Sequence, residues 1–399
     1  MSAIPSVRRR RTAIMLVANL VALVALGGIG YAGVRALKRY EGATKVTVES
    51  IKLPVTPVGM LATVDASNQL TSVAVFVLTA GSHLGGSIVT VPVSADSNPL
   101  PNGVDRIPLT QAYTDGGEEA LLLAVESVLS LTIDVSTVAP PAAAAALLAP
   151  VSPVAVSLPS DVQSTTAGGD TDVAFPAGPA TLSAAQVVEV LTATADAQRS
   201  VDRRGNIDAV WAGVAVSVGA GLATPDVAAP IATLPDLMGH LFAAPVEARG
   251  LPADPIAAAD NPDGKDVETL VRYEAIFVLA SVAPASMSAP STGLVFRIEA
   301  PPGYEDRVKF AVRAILFLGA NVVSVYLGAE VHEATRYYID DPRLVEEAES
   351  NNALFGITET LTPEVPIEGI DVILQLGTDF LKGAGDELPS TTTSTTEPA

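Results

Sequence analysis

Cysteine is absent from all 399 residues, which removes disulfides, thiolate metal sites and cysteine nucleophiles from consideration. Histidine is nearly absent. His83, His240 and His332 stand alone in sequence, none with a second ligand at helical or hairpin spacing, so an imidazole metal centre has no support. No G-x-S-x-G elbow, Walker-type phosphate loop or dinucleotide fingerprint occurs, which leaves serine-triad, P-loop and nicotinamide chemistry without a basis. Acidic residues are missing from the first 40 positions, and basic ones are scarce after them. Seven of the 23 Lys and Arg lie in that stretch, leaving 16 basic against 44 acidic residues beyond it, a formal charge of −28. A body this acidic lacks the basic face that phosphates require, so no nucleic-acid partner is expected. The same acidity keeps an alanine-rich body soluble.

What is present begins with an apolar run. Thr12 to Val34 holds 23 residues without a charged side chain, and at 1.5 Å per residue it spans roughly 34 Å, enough for a hydrocarbon core. Arg8 to Arg11 precede it, which predicts a single-pass anchor with a cytoplasmic N-terminus and an extracytoplasmic body, although Arg35, Lys38 and Arg39 follow on the other side. The rival reading is a cleaved signal peptide with Gly30-Tyr31-Ala32 as its site; the run is longer than a signal core of ~7–15 residues.

Some 360 residues remain, room for two domains. Residues 41–57 read as a stem containing the strand-like KVTVESIKL. SVAVFVLTA from Ser72 and SIVTVPV from Ser87 are short, β-branched and separated by a Gly-rich turn, which predicts two strands. Helical spacing follows in Glu118–Leu129, opening after Asp115-Gly116-Gly117, then in Ala142–Leu148, with VAVSL from Val154 as a strand. Leu182–Thr192 and Asn206–Val218 read as further helices, and this alternation predicts a layered α/β domain. Residues 224–266 read as loops and short helices, and Ala285–Ser291 as a linker. Beyond it lie strand Leu294–Glu299, helix Asp306–Leu318, strands Asn321–Leu327 and Arg336–Ile339, a helix with Asp341 as N-cap and Pro342 in its first turn, and strand Asp371–Leu376. That order predicts a small split-βαβ unit. The STTTSTTEPA tail reads as disordered.

IPLTQAYTDGGEEALLLAVESVLSLTIDV (Ile107–Val135), PAAAAALLAPVSPVAVSLPSDV (Pro141–Val162) and FPAGPATLSAAQVVEVL (Phe175–Leu191) follow one another in an order and spacing that resembles the LytR-CpsA-Psr family. Its members are membrane-anchored envelope proteins that transfer glycopolymers from a polyprenyl carrier to peptidoglycan. TGLVFRIEAPPG, YYIDDPRLVEEAE and GIDVILQLGTDF resemble the LytR-type C-terminal domain often appended to actinobacterial members. The resemblance implies a cytoplasmic arm at 1–11, a transmembrane helix at 12–34 and a stem at 35–57. A LytR-CpsA-Psr-like domain at 58–285, a C-terminal domain at 291–383 and a disordered tail at 384–399 complete it.

The family grips a diphosphate with several arginines, helped by carboxylates that hold magnesium. Arginine suits this task because its permanently charged planar fork matches phosphate oxygens. Here the pattern fails. The strand end that usually reads Pro-Arg-Asp is Pro92-Val93-Ser94, with the acid either lost at Ser94 or displaced to Asp96. The Arg-x-Asp position falls on Gln69-Leu70-Thr71, the Arg-x-Arg on Thr192-Ala193-Thr194, and an Arg-Gln pair on Asn206-Ile207, while Arg203 matches one family arginine. Losing one charge-stabilising donor costs ~3–4 kcal/mol in the barrier, and a factor of ten costs about 1.4.

The resemblance therefore implies a degenerate binding or regulatory member without transferase activity, whose partners are polyprenyl-linked glycan precursors or other envelope proteins. One alternative is an active phosphotransferase using Arg203, Arg204 and Asp96, the only reading that calls for magnesium. Another is a scaffold acting through residues 291–383. Arg203 and Arg106 are the candidate phosphate contacts, against a solvated basic turn. Ala145, Leu148, Val187, Val190 and Leu191 are the candidate lipid wall, against plain core packing.

Overall fold

A computed structural model describes residues 50–98, 105–166, 168–222, 230–290, 292–357 and 359–383. The chain divides into two units, 1–49 and 50–399, and the described residues belong to the second. The expected anchor at Thr12–Val34, most of the stem and the tail lie outside the described residues. Among those described, no helix is long and apolar enough to cross a membrane.

Near-continuous apolar runs make the central strands. β1 (Val58–Val64) and β2 (Leu70–Leu78) are buried along their whole lengths, as strands covered on both faces must be. With β3 (Gly86–Val91), β4 (Val135–Ala139) and β9 (Val246–Gly250) they form a five-stranded mixed sheet in the order β4-β1-β2-β3-β9. The period-two alternation of β2 sends Val73, Val75 and Val77 into one core and Ala74, Phe76 and Leu78 into the other.

One face is covered by helices α1 (Leu109–Leu129) and α6 (Arg272–Val282), the other by α2 (Pro141–Leu148), α3 (Ala184–Thr192), α4 (Ser200–Val218) and α5 (Leu234–Leu241). Ser183 opens α3 with a capping box to Gln186, and Thr233 opens α5 the same way with Asp236. Over the second face, β5 (Val154–Leu158) pairs with β8 (Gly178–Leu182), and β6 (Val162–Thr165) with β7 (Thr171–Phe175).

Three elements depart from the sequence expectation. Val58–Val64 carries Gly59 and Ala62 among its apolar residues and shows no alternation, yet it is an interior strand, between β4 and β2. Val246–Gly250, within a segment read as loops, is the edge strand β9, parallel to β3. A helical stretch from Leu109 precedes the expected helix, and the two meet within α1 at a kink at Gly117. The Gly117 φ of 67° and ψ of −153° are non-helical and would strain a side chain, so the stretch from Glu118 opens after Asp115-Gly116-Gly117 as expected.

After β9 come β10 (Ala253–Pro255) and β11 (Glu268–Leu270), an antiparallel pair. The second sheet uses β12 (Val295–Glu299), β13 (Asn321–Tyr326), β14 (Arg336–Ile339), β15 (Glu359–Leu361) and β16 (Val372–Gln375), in the order β13-β12-β16-β14-β15. Helix α7 (Glu305–Phe317) connects β12 to β13, which pair directly and in parallel. The expected split-βαβ arrangement is therefore corrected to a plain βαβ, because no strand separates the two. The expected helix after Asp341 is broken into short turns at Pro342–Leu344, Val345–Glu349 and Asn352–Phe355. Side chains of this sheet, α6 and the first face of the central sheet belong to one continuous apolar cluster. The first described residues tie in here as well: Ile51 bridges Ile367, and Lys52 pairs with Glu368 at 3.5 Å.

Candidate functional site

The residues flagged in sequence gather where β2 begins and β3 ends, beneath the first turns of α4. Consecutive helical positions diverge by about 100°, so Arg203 and Arg204 leave α4 in different directions. Arg203 turns inward. Its Nη1 donates to the Thr71 carbonyl at 3.3 Å and its Nη2 to the Leu191 carbonyl at 2.8 Å, while its Nε has no partner among the described residues. Leu191 lies in the last turn of α3, where a cation offsets the negative end of the helix dipole. Only 7% of Arg203 is exposed, and no carboxylate lies within ion-pair distance of it among the described residues. Burial pushes its pKa down to about 10, and the more distant Asp65 and Asp266 oppose the shift. An arginine expected to grip phosphate instead ties a strand to a helix end.

Arg204 turns toward β11. It forms a buried ion pair with Glu268, and Ser94 donates its hydroxyl to the same carboxylate oxygen. A second Arg204 nitrogen, Nη1, donates to the Ala253 carbonyl at 3.4 Å. One turn further along α4, Asp208 accepts a hydrogen bond from Thr90. Burial raises the Asp208 pKa, opposed by the Thr90 hydroxyl and the charge of Arg204. Neither Glu268 nor Asp208 was visible as a site residue in sequence. Glu268 lies just past the segment 224–266 that reads as loops, and Asp208 is one acid among many.

The remaining candidates lie elsewhere. Asp96 accepts from Arg106 Nη1 at 3.0 Å and from the Ile107 amide at 3.1 Å, and Arg106 Nε donates to the Asp260 carbonyl. Asp96 and Arg106 line a cleft that shares no residue with the one holding Arg203 and Arg204. The expected grouping of Arg203 with Arg106, or of Arg203, Arg204 and Asp96, is thus not assembled. The strand end at Ser94 separates them: Asp96 lies past it, its amide donates to the Glu268 carbonyl at 2.9 Å, and its carboxylate accepts within its own loop.

Arg203, Arg204, Val93, Asp208 and Ser200 surround a cavity of about 20 Å³. That holds a water or so, because one water needs roughly 10–15 Å³ measured this way. Val93, where the sequence resemblance expects an arginine, is buried in its wall. Among the described residues no three acidic or histidine side chains converge to hold a metal. Asp96 and Glu268 are each engaged by an arginine, so the donor set does not fit magnesium.

The candidate lipid wall is core. Leu148, Val187, Val190 and Leu191 are all at most 2% exposed and pack in the cluster that contains Trp211, with Ala145 half-buried at its border. Trp211 meets Phe76 edge-on at 5.6 Å in the same core. An acyl chain could enter only by parting these side chains.

No family model matches the chain, and no curated protein matches it. Among solved structures the chain is similar to TagT bound to LIIa-WTA, at 17% identity and a TM-score of 0.41, covering 56% of this chain and 88% of that one. TagV of B. subtilis is similar at 12% identity and a TM-score of 0.40, covering 60% and 100%. A LytR-CPS2A-psr family protein, YwtF (TagT) with bound octaprenyl pyrophosphate lipid, is similar at 14% identity and a TM-score of 0.35, covering 54% and 83%.

Proposed function

We propose that this chain is a membrane-tethered envelope protein of LytR-CpsA-Psr type that takes part in cell-wall glycopolymer assembly by binding or regulation and does not transfer the polymer itself. The family reading rests on the order of sequence segments between Ile107 and Leu191, and the tether on the apolar run at Thr12–Val34. The non-catalytic part rests on how the cations are spent. Arg203 donates to two carbonyls, Arg204 to Glu268 and Arg106 to Asp96, so the fork that would clamp a diphosphate is already occupied at each. Transition-state stabilisation needs donors preorganised toward the charge that develops, and engaged donors must first be released. The half-buried Asp208 in the lining of the same cavity offers a phosphate an oxygen and no cation. Polyprenyl-linked precursors or other envelope proteins are its partners in this reading.

The test mixes the full chain in detergent with a polyprenyl-linked glycan donor, peptidoglycan and magnesium. Binding without ligation is expected; measurable ligation overturns the non-catalytic reading. Binding of neither the donor nor a polyprenyl phosphate overturns the lipid-precursor part.

A further inference from the structure

We propose that the cleft between the end of α1, β11 and the start of α6 is a binding site for a single sugar unit carrying an anionic group. It has a volume of about 270 Å³ and shares no lining residue with the cavity at Arg203. Its polar wall is made of Asp96, Arg106, Ser127, Ser130, Thr269 and Arg272.

Arg272 is the anomaly. Among the described residues it is the arginine left without a hydrogen bond, an ion pair or a ring contact, and it is not one of those with an undescribed partner. The other described arginines pair with carboxylates, carbonyls or rings, as expected in a body with so many acids. Arg272 is also the first residue of α6, where the helix dipole is positive and a cation is placed against the field. A local rule broken without internal compensation marks a place where an outside anion would supply the compensation.

Around that charge the cleft offers sugar chemistry. The hydroxyls of Ser127, Ser130 and Thr269 have no protein partner among the described residues, so all three are free to donate and accept. The Arg106–Asp96 pair supplies a planar donor beside an acceptor, fixed by the Ile107 and Asn98 amides. Val128 and Leu270 give an apolar strip for the C–H face of a ring. A bare phosphate could use Arg272 and a hydroxyl but would leave the apolar strip and the other hydroxyls idle. The site rests on none of the reasoning about Arg203 or transferase activity.

The experiment is ligand-observed NMR on the full chain in detergent at pH 7, with glucuronic acid, glucose 1-phosphate, glucose and inorganic phosphate as probes. At least one of the two charged sugars should bind, and bind more tightly than glucose or phosphate. Arg272→Ala should weaken it by about tenfold or more, the size of one charge-assisted contact, with partial recovery in Arg272→Lys. Thr269→Val should weaken the charged sugar, and the charged sugar should still outbind phosphate in that variant. Arg272 is exposed, so the variant should keep the wild-type urea midpoint, and Arg343→Ala, which removes one charge from the second sheet's periphery, should bind as wild type. Binding of neither charged sugar overturns the site. Phosphate binding as tightly as glucose 1-phosphate, or equal weakening by Arg343→Ala, overturns it too.

Discussion

Arg204 on α4 and Glu268 on β11 form a buried ion pair, and Ser94 completes it by donating to the same carboxylate oxygen. The acid missing from the end of β3 is thus answered by one 174 positions further along the chain. Its charge is spent on Arg204, which leaves neither partner available to a diphosphate.

Removing one member of this pair strands the other. Arg204→Ala leaves a carboxylate only 2% exposed and should cost about 3–5 kcal/mol of stability in urea unfolding. Glu268→Ala should cost less, because the Arg204 side chain is 21% exposed and can draw on water. Arg204→Met with Glu268→Leu should be more stable than either single variant. A double variant as unstable as the sum of the two would show that the pair contributes nothing as a pair.

Asp208 sets a pH dependence. Its native pKa is raised, so the folded state holds its proton above the pH at which the unfolded chain releases it. Stability from this group is therefore full below the unfolded carboxylate pKa and falls as pH rises through the native one. Asp208→Asn removes the penalty and still accepts the Thr90 hydroxyl. The variant should have a higher urea midpoint than wild type at pH 7, with the gap closing by about pH 4. An unchanged gap between the two pH values would contradict the assignment.

Gly250 and Asp208 are fitted to each other. A Cβ at Gly250 would lie 2.6–2.8 Å from the Asp208 carboxylate, closer than carbon and oxygen tolerate. Gly250→Ala should cost about 1–3 kcal/mol as an overpacking change. Adding Asp208→Ala should recover most of it, and strict additivity in the double-mutant cycle would exclude the contact.

Placing an arginine at Val93, as the proposed family likeness would ask, should fail. Val93 is 5% exposed in the wall of a cavity of about 20 Å³, so Val93→Arg buries a bulky cation whose nearest acids are already engaged. A loss of at least about 3 kcal/mol is expected, with no transferase activity gained. A stable Val93→Arg variant that ligates glycan would reverse the reading of the site.

Much of the element list was legible because local patterns carry it. The β-branched runs at β2 and β3 and the punctuated ends of α2 and α3 are readable from propensity and caps. β1 was not, since a strand buried on both faces need not alternate, and β9 was not, because VEARG looks like a loop until β3 lies beside it. Helix α6 is apolar nearly all round, as a helix packed against β13, α7 and α1 can be, so it offered no amphipathic stripe.

By itself the sequence determined the lack of thiol and imidazole chemistry, the segregation of basic from acidic residues, the apolar run at Thr12–Val34 and the absence of arginine at Val93, Thr192 and Thr194. These are facts of residue type, and folding does not alter them. Only the tertiary structure decided what the surviving arginines do. Whether a guanidinium faces a phosphate, a carbonyl or a carboxylate depends on groups far away in the chain: Thr71 and Leu191 for Arg203, Glu268 for Arg204. The same holds in reverse for Arg272, which reads as an ordinary surface cation in sequence and becomes distinctive only because no carboxylate is folded against it among the described residues. Charge is written residue by residue, but its compensation is a property of neighbours in space.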